Sequence, residues 1–283
     1  MVTGKQAHGT VAKAIALLGF GIDNVEWIDT DAEGRIETEK VPGLDQSTIL
    51  ILQAGNVNSG AFDDFQTLCT RAQQAGAWVH VDGAFGLWAA TSQRLKHLTA
   101  GIELADSWSF DGHKTLNTPY DSGVIMCQDR DALANALHAS GAYIVYSDHR
   151  DGMLHTPEMS RRARVCELWA ALKYLGKSGI DDLVYGFHLR ARQFAGELGQ
   201  QGFEILNDVA FNQVLVACGS DAITAETIKN IQQSGECWVG GTQWQQRSVI
   251  RISICSWATM PADISRSVKT FVDARAQALA ASA

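Results

Sequence analysis

The sequence predicts an α/β fold, a mixed, mostly parallel sheet with helices on both faces, followed by a small C-terminal α+β unit. Three observations support this prediction. Short apolar runs typical of buried strands alternate with helical patterns over residues 1–130. Such alternation is typical of a sheet that helices cover on both faces. Clusters of polar residues follow three of the predicted strands, which is where such sheets bind ligands.

The composition is that of a large folded protein. The chain has 283 residues, of which 46% are hydrophobic, 26 are Gly and only 4 are Pro. It can bury a large core, and a disordered or collagen-like chain is excluded. The formal net charge of -8 argues against a nucleic-acid partner, because phosphate binding needs clustered Lys and Arg. We also expect no membrane span, since the sequence lacks a run of about 18 apolar residues.

The six cysteines are scattered along the chain without a C-x-x-C pair. In a chain of this size the spacing predicts reduced, mostly buried thiols, and it indicates neither a disulfide framework nor a metal site. Residues 1–10 contain no apolar stretch of the kind found in signal peptides. We therefore expect a cytoplasmic protein that binds a small molecule and no metal.

Taken in chain order, the first predicted element is a helix over residues 10–18, because apolar residues recur at helical spacing and Gly19 follows as a stop signal. A strand over 25–28 and a turn over 29–34 come next. Residues 48–52 form a continuous apolar run, TILIL, which is typical of a strand buried on both faces.

Residues 62–75 have a helical pattern, and we expect three of their side chains to face the core. These are Leu68, Cys69 and Ala72. Apolar runs over 77–81, 107–110 and 123–127 predict three more strands of the same sheet. The first half is therefore predicted to be an alternating α/β unit.

The second half has the pattern of a smaller α+β unit. We predict helices at 131–141, 160–175, 180–200, 225–234 and 261–283, and an irregular polar loop at 143–159. We predict strands at 203–206, 213–217, 237–239 and 249–254. The predicted organisation is a large α/β domain over residues 1–135, a loop with a connecting helix over 136–178, and a small α+β domain over 179–283.

Polar clusters follow three strands of the predicted sheet. The cluster QAGNVNSG follows strand 48–52, DGAFG follows strand 77–81, and DGHKTLN follows strand 107–110. Since the carboxyl ends of parallel strands meet at one edge of a sheet, we expect these clusters to form one ligand site.

Lys114 and Asp82 are the two charged residues of these clusters with the clearest chemistry. A lysine in the DGHKTLN turn can serve as a Schiff-base amine if its surroundings lower its pKa, although an ordinary exposed lysine is the alternative. Asp82 ends an apolar strand and therefore needs a cationic partner. That partner is either a structural cation or the ring nitrogen of pyridoxal phosphate, which a carboxylate keeps protonated.

Other polar residues have two interpretations each. His8 precedes the first helix, where it is either a helix-flanking residue or an imidazole stacked on a flat cofactor ring. His113 either binds a phosphate or fills space beside Lys114. The amides and hydroxyl of Asn56, Asn58 and Ser59 lie at the end of a strand, where turn formation is the alternative to ligand binding.

Four motifs occur in a fixed order, namely QAH at 6–8, QAGNVNSGAFD at 53–63, HVDGAFG at 80–86 and ADSWSFDGHK at 105–114. In this order and spacing the chain resembles the pyridoxal-phosphate-dependent group II decarboxylases, which include aromatic-amino-acid, histidine and glutamate decarboxylases. The segments SRRAR, LNDVAFNQVLV, CWVGGT and RISICSW are similar to a bacterial branch of the family. The resemblance runs from about His8 to the C-terminus and implies the fold type I of pyridoxal-phosphate enzymes.

The resemblance implies a role for each matching residue. Lys114 looks like the lysine that forms the internal aldimine with pyridoxal phosphate, and Asp82 looks like the partner of the pyridinium nitrogen. Ala84 resembles the small residue that packs on the cofactor ring. His8 resembles the stacking histidine, which lies near the substrate carboxylate. The two remaining cofactor-binding positions are His113 and Asn58.

The resemblance also implies an enzyme, a carboxy-lyase that decarboxylates an L-amino acid to an amine through the Lys114 aldimine and works as a homodimer. Residues 1–135 then form the remainder of the large cofactor-binding domain, and 136–178 contain the catalytic loop. In the family a tyrosine of a mobile loop protonates Cα. Tyr143 and Tyr146 are the two candidates here, and the choice between them stays open.

Family members carry a segment before the QAH motif, with a turn at a helix N-terminus that binds the cofactor phosphate. Since only seven residues precede His8, we expect a truncated chain; the alternative is a reduced domain that works differently. Two further functions remain open: an aminotransferase or other lyase of the same fold, and an inactive fragment or dimerisation module.

Two more charged residues have open roles. Arg251 could bind a substrate carboxylate, as C-terminal arginines do in aminotransferases, but a structural role on its strand is the preferred interpretation. Asp111 either faces the phosphate region or orders the turn around Lys114.

Overall fold

The computed structural model describes residues 1–147 and 149–282. The strands are β1 Val2–Gly4, β2 Glu26–Ile28, β3 Ile49–Gln53, β4 Trp78–Asp82, β5 Ser107–Asp111, β6 Gly123–Cys127, β7 Glu204–Ile205, β8 Gln213–Ala217, β9 Gly240–Trp244 and β10 Arg247–Ser253. The α-helices are α1 Gly9–Leu17, α2 Phe65–Ala75, α3 Gly112–Thr115, α4 Arg130–Leu137, α5 Val165–Gln200, α6 Asp221–Ser234 and α7 Pro261–Ser282.

The first sheet has the strand order β2-β1-β3-β4-β5-β6. Its first five strands in this order are parallel, and β6 runs antiparallel to β5. The register aligns Gln53 of β3 with Asp82 of β4, and Asp82 with Ser109 of β5. The carboxyl ends of these three strands therefore lie side by side, at the edge where the polar clusters were expected to meet.

Helices pack on both faces of this sheet because successive side chains of a strand point to opposite faces. Ile51 packs in one cluster with Val11 and Ile15 of α1. Leu50 and Leu52, its neighbours along β3, pack in the main core together with the buried face of α2. The α/β fold class, with a mixed and mostly parallel sheet, is confirmed.

The second sheet is antiparallel, with the order β7-β8-β10-β9. One of its faces carries Val214, Val216, Ile250 and Ile252, which pack in a separate hydrophobic core with buried residues of α5, α6 and α7. The small C-terminal α+β unit predicted from the sequence is present.

Helix α5 connects the two cores, and a kink at Gly176 interrupts its helical conformation. Its residue Gly176 has φ 61° and ψ -175°, a non-helical conformation within the helix. This region of φ/ψ space is open essentially to glycine alone. Leu168, on one side of Gly176, belongs to the first core, and Phe187, on the other side, belongs to the second.

Phe211 ties the second unit to the first. It precedes β8, it is completely buried, and its ring stacks on Phe85 and meets Phe62 edge-on, with centroid distances of 6.2 and 5.9 Å. Nearby, the Asn207 side-chain amide donates to the Ser59 carbonyl at 2.7 Å.

Most predicted elements agree with the structure to within a few residues, and three predictions need correction. The strand predicted at 237–239 is wrong, because the strand of this region begins at Gly240. The helices predicted at 160–175 and 180–200 are one kinked helix that begins only at Val165. Strand β1 was not predicted. Within the predicted loop 143–159 and the predicted terminal helix, Asp148 and Ala283 lie outside the described residues.

Candidate active site

A cavity of about 810 Å³ extends along one face of the first sheet, from the first residues of β3, β4 and β5 to their carboxyl ends. Six of the residues singled out in the sequence line it, and these are His8, Asp82, Ala84, Asp111, Lys114 and Arg251. They come from four separate segments of the chain that the topology brings together. The cavity also takes one wall from the second unit, through residues of β8 and β10.

Asp82 is the last residue of β4 and is half-buried. Its Oδ1 accepts the backbone N–H of Ala84 at 3.3 Å, which fixes the carboxylate at the end of the strand. Within the described part of the chain, Oδ2 has no hydrogen-bond partner, so it can accept a proton donor that enters the cavity. The small side chain of Ala84, two residues further on, leaves space above the carboxylate.

Lys114 lies in the short helix α3, which follows β5 directly. Its ammonium is 3.0 Å from Oδ2 of Asp111, and the same oxygen lies 3.4 Å from Nε2 of His113. Asp111 is therefore the counterion of Lys114 in this structure and orders the turn around it, which answers the question that the sequence left open about this residue.

His8 is both the N-cap of α1 and part of the cavity lining. Its Nδ1 accepts the backbone N–H of Thr10 at 3.3 Å and lies 2.7 Å from the Thr10 hydroxyl. Since Nδ1 serves as an acceptor, the proton of the neutral ring resides on Nε2. The two interpretations made from the sequence are thus compatible, because the capping residue is also part of the cavity lining.

His113 and Asn58 lie beside the cavity and are absent from its lining. His113 accepts the Ser122 backbone N–H through Nδ1 at 3.0 Å, and its ring is 4.0 Å from the ring of Tyr120. Asn58 is buried, and its N–H donates to the Asn56 side chain at 2.9 Å in the loop after β3. Both residues support the site from outside.

The two candidate tyrosines of the loop are also absent from the cavity lining. Tyr143 is exposed, and the Tyr146 hydroxyl donates to the Ala139 carbonyl. This arrangement does not test the predicted role of either tyrosine in proton transfer.

Sequence reasoning missed His80, which lies two residues before Asp82 on the same face of β4 and lines the cavity. Its ring nitrogens contact the hydroxyls of Ser107 and Ser109 at 2.9 and 3.3 Å. Burial lowers the pKa of His80, an effect only partly opposed by the charge of Asp82. A neutral His80 therefore forms part of the cavity floor. The sequence did contain a signal for His80, because residues two apart on a strand face the same side and His80 is two residues before Asp82.

The structure leaves both interpretations of Arg251 open, the substrate-carboxylate ligand and the preferred structural role. Arg251 of β10 lines the cavity, and its guanidinium makes one long contact of 3.4 Å with the Val57 carbonyl. Gln213 of β8 lines the same wall. The loop after β3 brings this wall to the cavity, because Gly60 packs against the Gln213 side chain.

Two further structural findings concern metals and membranes. Among the described residues, no group of three or more His, Cys, Asp or Glu side chains is arranged to hold a metal ion. No helix of residues 1–147 and 149–282 combines the length and apolar character needed to cross a membrane.

The residues present fit the ring of pyridoxal phosphate, the cofactor implied by the resemblance. The open Oδ2 of Asp82 suits a protonated ring nitrogen, the amine of Lys114 suits the aldehyde, and the ring of His8 offers a flat stacking surface. The cavity is large enough for the cofactor and an amino acid together. This set of groups therefore fits the cofactor without rearrangement of the sheet.

Comparisons with known proteins agree with this assignment. A family model described as the pyridoxal-dependent decarboxylase conserved domain matches residues 1–217. Human cysteine sulfinic acid decarboxylase is 28% identical over 229 residues, which are 76% of this chain and 46% of the relative. An aromatic-L-amino-acid decarboxylase of Bacillus atrophaeus is 26% identical over 271 residues, which are 87% of this chain and 56% of the relative. The chain thus spans about half the length of these curated relatives.

Solved structures share the fold. The apo form of mouse CSAD superposes with a TM-score of 0.86 at 20% identity, covering 96% of this chain and 63% of that one. Oryza sativa TDC with PLP and tryptamine superposes with a TM-score of 0.87 at 22% identity, covering 98% of this chain and 62% of that one.

Proposed function

Because the chain belongs to the pyridoxal-dependent decarboxylase family, we propose that it carries out the decarboxylation of an amino acid to an amine with pyridoxal phosphate as cofactor. One observation carries this proposal: Lys114, Asp82 and His8 line a single cavity at the carboxyl ends of the parallel strands. An amine, a carboxylate and an imidazole around one cavity are the groups that hold and activate this cofactor.

When bound, pyridoxal phosphate accepts the electron pair that the substrate releases at Cα. Asp82 would hold the proton on the ring nitrogen through its open Oδ2. Lys114 would present its amine to the cofactor aldehyde, and for this its ammonium would give a proton to solvent and leave its ion pair with Asp111. His8, fixed through Nδ1, holds a proton on Nε2 at the cavity surface.

The three remaining predicted site residues, Ala84, Asn58 and His113, shape the cavity and its surroundings. We assign Ala84 to the space under the cofactor ring, since it follows Asp82 closely and lines the cavity. We assign Asn58 to the loop that frames the cavity, in which its N–H bonds to Asn56. His113 is assigned to the turn around Lys114, where it shares Asp111 with the lysine.

We also propose the substrate class of the protein, its domain organisation, its oligomeric state and its cellular location. The substrate is a small-molecule L-amino acid. The domains are 1–135, 136–178 and 179–283; a separate hydrophobic core between the second sheet and α5, α6 and α7 supports the last of them. A homodimer is supported by large exposed apolar side chains, among them Trp169, Tyr174 and Trp238. The cytoplasmic location is supported by free cysteines throughout the described chain.

Trapping of the cofactor on Lys114 tests the proposed function. The purified chain is incubated with pyridoxal phosphate, reduced with borohydride and mapped by mass spectrometry, and CO₂ release is measured with a panel of L-amino acids. We expect the label on Lys114 and an amine as product. Lys114→Ala should abolish both, whereas Lys229→Ala, an exposed lysine paired with Glu226, should change neither. Labelling elsewhere, or a keto acid as product, would contradict the proposal.

A further inference from the structure

Asn117 is the last residue of the DGHKTLN cluster, and the proposed function leaves it without a role. It follows the short helix α3 and has φ 51°, a left-handed conformation that asparagine adopts more readily than most other residues. Its Nδ2 donates to the carbonyl of Lys114 and to the carbonyl of Cys255, each at 2.8 Å. Its Oδ1 accepts the backbone N–H of Trp257 at 2.9 Å. The side chain therefore uses both of its donors and its acceptor on backbone groups.

These backbone groups belong to the two different units of the molecule. Lys114 lies in α3 of the first unit, whereas Cys255 and Trp257 lie in the loop 254–260 between β10 and α7 of the second unit. Lys114 and Cys255 both line the cavity. Among the described residues, the hydrogen bonds between this loop and the first unit all come from the Asn117 side chain. Asn117 therefore links the turn that carries the amine to a segment of the second unit.

The turn around Lys114 has a separate anchor within the first unit, where the Thr115 hydroxyl donates to the Phe85 carbonyl at 3.1 Å. The Lys114 carbonyl lies near the end of a four-residue helix, where carbonyls lack the usual helical partner. Its hydrogen bond from Nδ2 of Asn117, at 2.8 Å, is shorter than the one from the Asn117 backbone N–H, at 3.3 Å. The Asn117 side chain thus fixes the backbone of Lys114 and connects it to the loop 254–260.

The position of the Lys114 amine matters for the proposed reaction, because an amine attacks a bound aldehyde fast only when it is held at the right distance and angle. A displacement of about 1 Å can lower the rate of such a reaction about 100-fold. We propose that Asn117 is a positioning residue, which holds the Lys114 amine in place for the cofactor aldehyde by joining its turn to the loop 254–260. This inference rests on the proposed function, in which Lys114 is the reacting amine.

The rate at which Lys114 is labelled by the cofactor tests the inference, with Asn117→Gly as the variant. Glycine keeps the left-handed backbone without strain and removes the three side-chain hydrogen bonds. The full chain is mixed with increasing amounts of pyridoxal phosphate and reduced with borohydride after timed intervals, and the label on Lys114 is quantified by mass spectrometry. We expect the rate at saturating cofactor to fall about ten-fold or more. The half-saturating concentration should stay unchanged, because Asn117 lies outside the cavity lining.

Cys255 reports on the other end of the link. Desolvation raises the pKa of the Cys255 thiol, so iodoacetamide should alkylate it slowly while the loop is held in place. In Asn117→Gly the loop loses two hydrogen bonds, and we expect the alkylation rate of Cys255 to rise about ten-fold. The buried Cys69 and Cys218 report on the fold as a whole and should keep their wild-type alkylation rates.

Asn230→Ala is the matched control, because the Asn230 amide donates to the Ala274 carbonyl between α6 and α7, outside the cavity. Both the labelling rate and the alkylation rate should match the wild type in this variant.

Three results in Asn117→Gly would overturn the inference. The first is a wild-type labelling rate of Lys114. The second is slower labelling without faster alkylation of Cys255, because the loop would then take no part in positioning the amine. The third is faster alkylation of Cys69 and Cys218 together with Cys255, which would assign Asn117 to general stability.

The wild-type chain separates this inference from the proposed function. Labelling of Lys114 and CO₂ release that are equally fast in the wild type and in Asn117→Gly would leave the proposed function standing and refute the role of Asn117. A wild-type chain in which Lys114 takes no label would refute both, because there would be no reacting amine to position.

Discussion

Asp82 is the residue that we propose keeps the cofactor ring nitrogen protonated. At the end of β4, one of its carboxylate oxygens accepts a backbone N–H, and the other is open to the cavity. An amide at this position cannot keep that nitrogen protonated. We expect Asp82→Asn to retain the fold and to lower the rate of amine formation about 100-fold or more. The check is the steady-state rate, with the exposed Asp273→Asn as control; an unchanged rate would refute the assignment.

Asp63, which is buried close to the site, makes the free energy of unfolding depend on pH. It is buried at the end of the loop after β3, and its two oxygens accept the N–H groups of Ile36 and Gln53 at 2.8 and 2.7 Å. Burial raises the pKa of Asp63 from 3.8 to about 6, against the opposing effect of these hydrogen bonds. The folded state therefore binds this proton more tightly than the unfolded state does. Its contribution to stability is present below the unfolded pKa and is lost as the pH rises through 6.

The expected loss is about 2.4 kcal/mol between pH 4 and pH 7. We expect the difference in unfolding free energy between the wild type and Asp63→Asn, measured in urea, to fall by about this amount over that range. Asp45 provides a contrast, because hydrogen bonds from Ser47 and Thr48 lower its pKa. For Asp45→Asn the difference should change in the opposite direction, being lost as the pH falls. A flat profile for Asp63→Asn would contradict the prediction.

At the scale of single elements, α5 depends on Gly176. Its conformation, with φ 61° and ψ -175°, is open essentially to glycine, although a Cβ there would meet no atom within 4 Å. We expect Gly176→Ala to destabilise the fold by about 1–3 kcal/mol through backbone strain alone. Gly196 is a matched control in the same helix, since its surroundings are equally open and its backbone is helical. Gly196→Ala should stabilise by up to about 1 kcal/mol. The unfolding free energies of both variants, measured in urea, test this prediction. Changes of the same sign in the two variants would refute it.

The elements that the sequence predicted well are those whose pattern is local. β3 was found because a continuous apolar run marks a buried strand, and β4 was found because its apolar residues alternate with half-buried ones. β1 was missed because three residues, Val2–Gly4, are too few to show a pattern, and its pairing with β2 and β3 makes it a strand. In β9, pairing with β10 likewise makes a strand of Gly240–Trp244, whose glycines disfavour one.

The residues of the candidate site likewise fall into two groups, those with a local sequence signal and those without one. Lys114, Asp82 and His8 lie in motifs, so the sequence was sufficient to single them out. Arg251 and Gln213 lie on strands of the second unit and reach the cavity only because that unit packs on the loop after β3. Contacts between residues nearly 200 positions apart have no local signal.

For the whole molecule, the site depends on how the two units are joined. Asp82 and Lys114 of the cavity lining belong to the first unit, whereas Gln213 and Arg251 belong to the second. Phe211 helps to hold the units together by packing on Phe85 and Phe62 of the first core. Its loss should therefore affect the stability of both units together.

We expect Phe211→Ala to cost about 3–5 kcal/mol in unfolding free energy and to lower hydrogen-exchange protection in both sheets. Phe194→Ala is the matched control, because Phe194 is also buried but packs on Phe271 inside the second core. That variant should lower protection in β8 and β10 and leave β3–β5 protected. If exchange in β3–β5 keeps its wild-type protection in Phe211→Ala, the packing of Phe211 on Phe62 and Phe85 does not couple the two units, and the prediction is wrong.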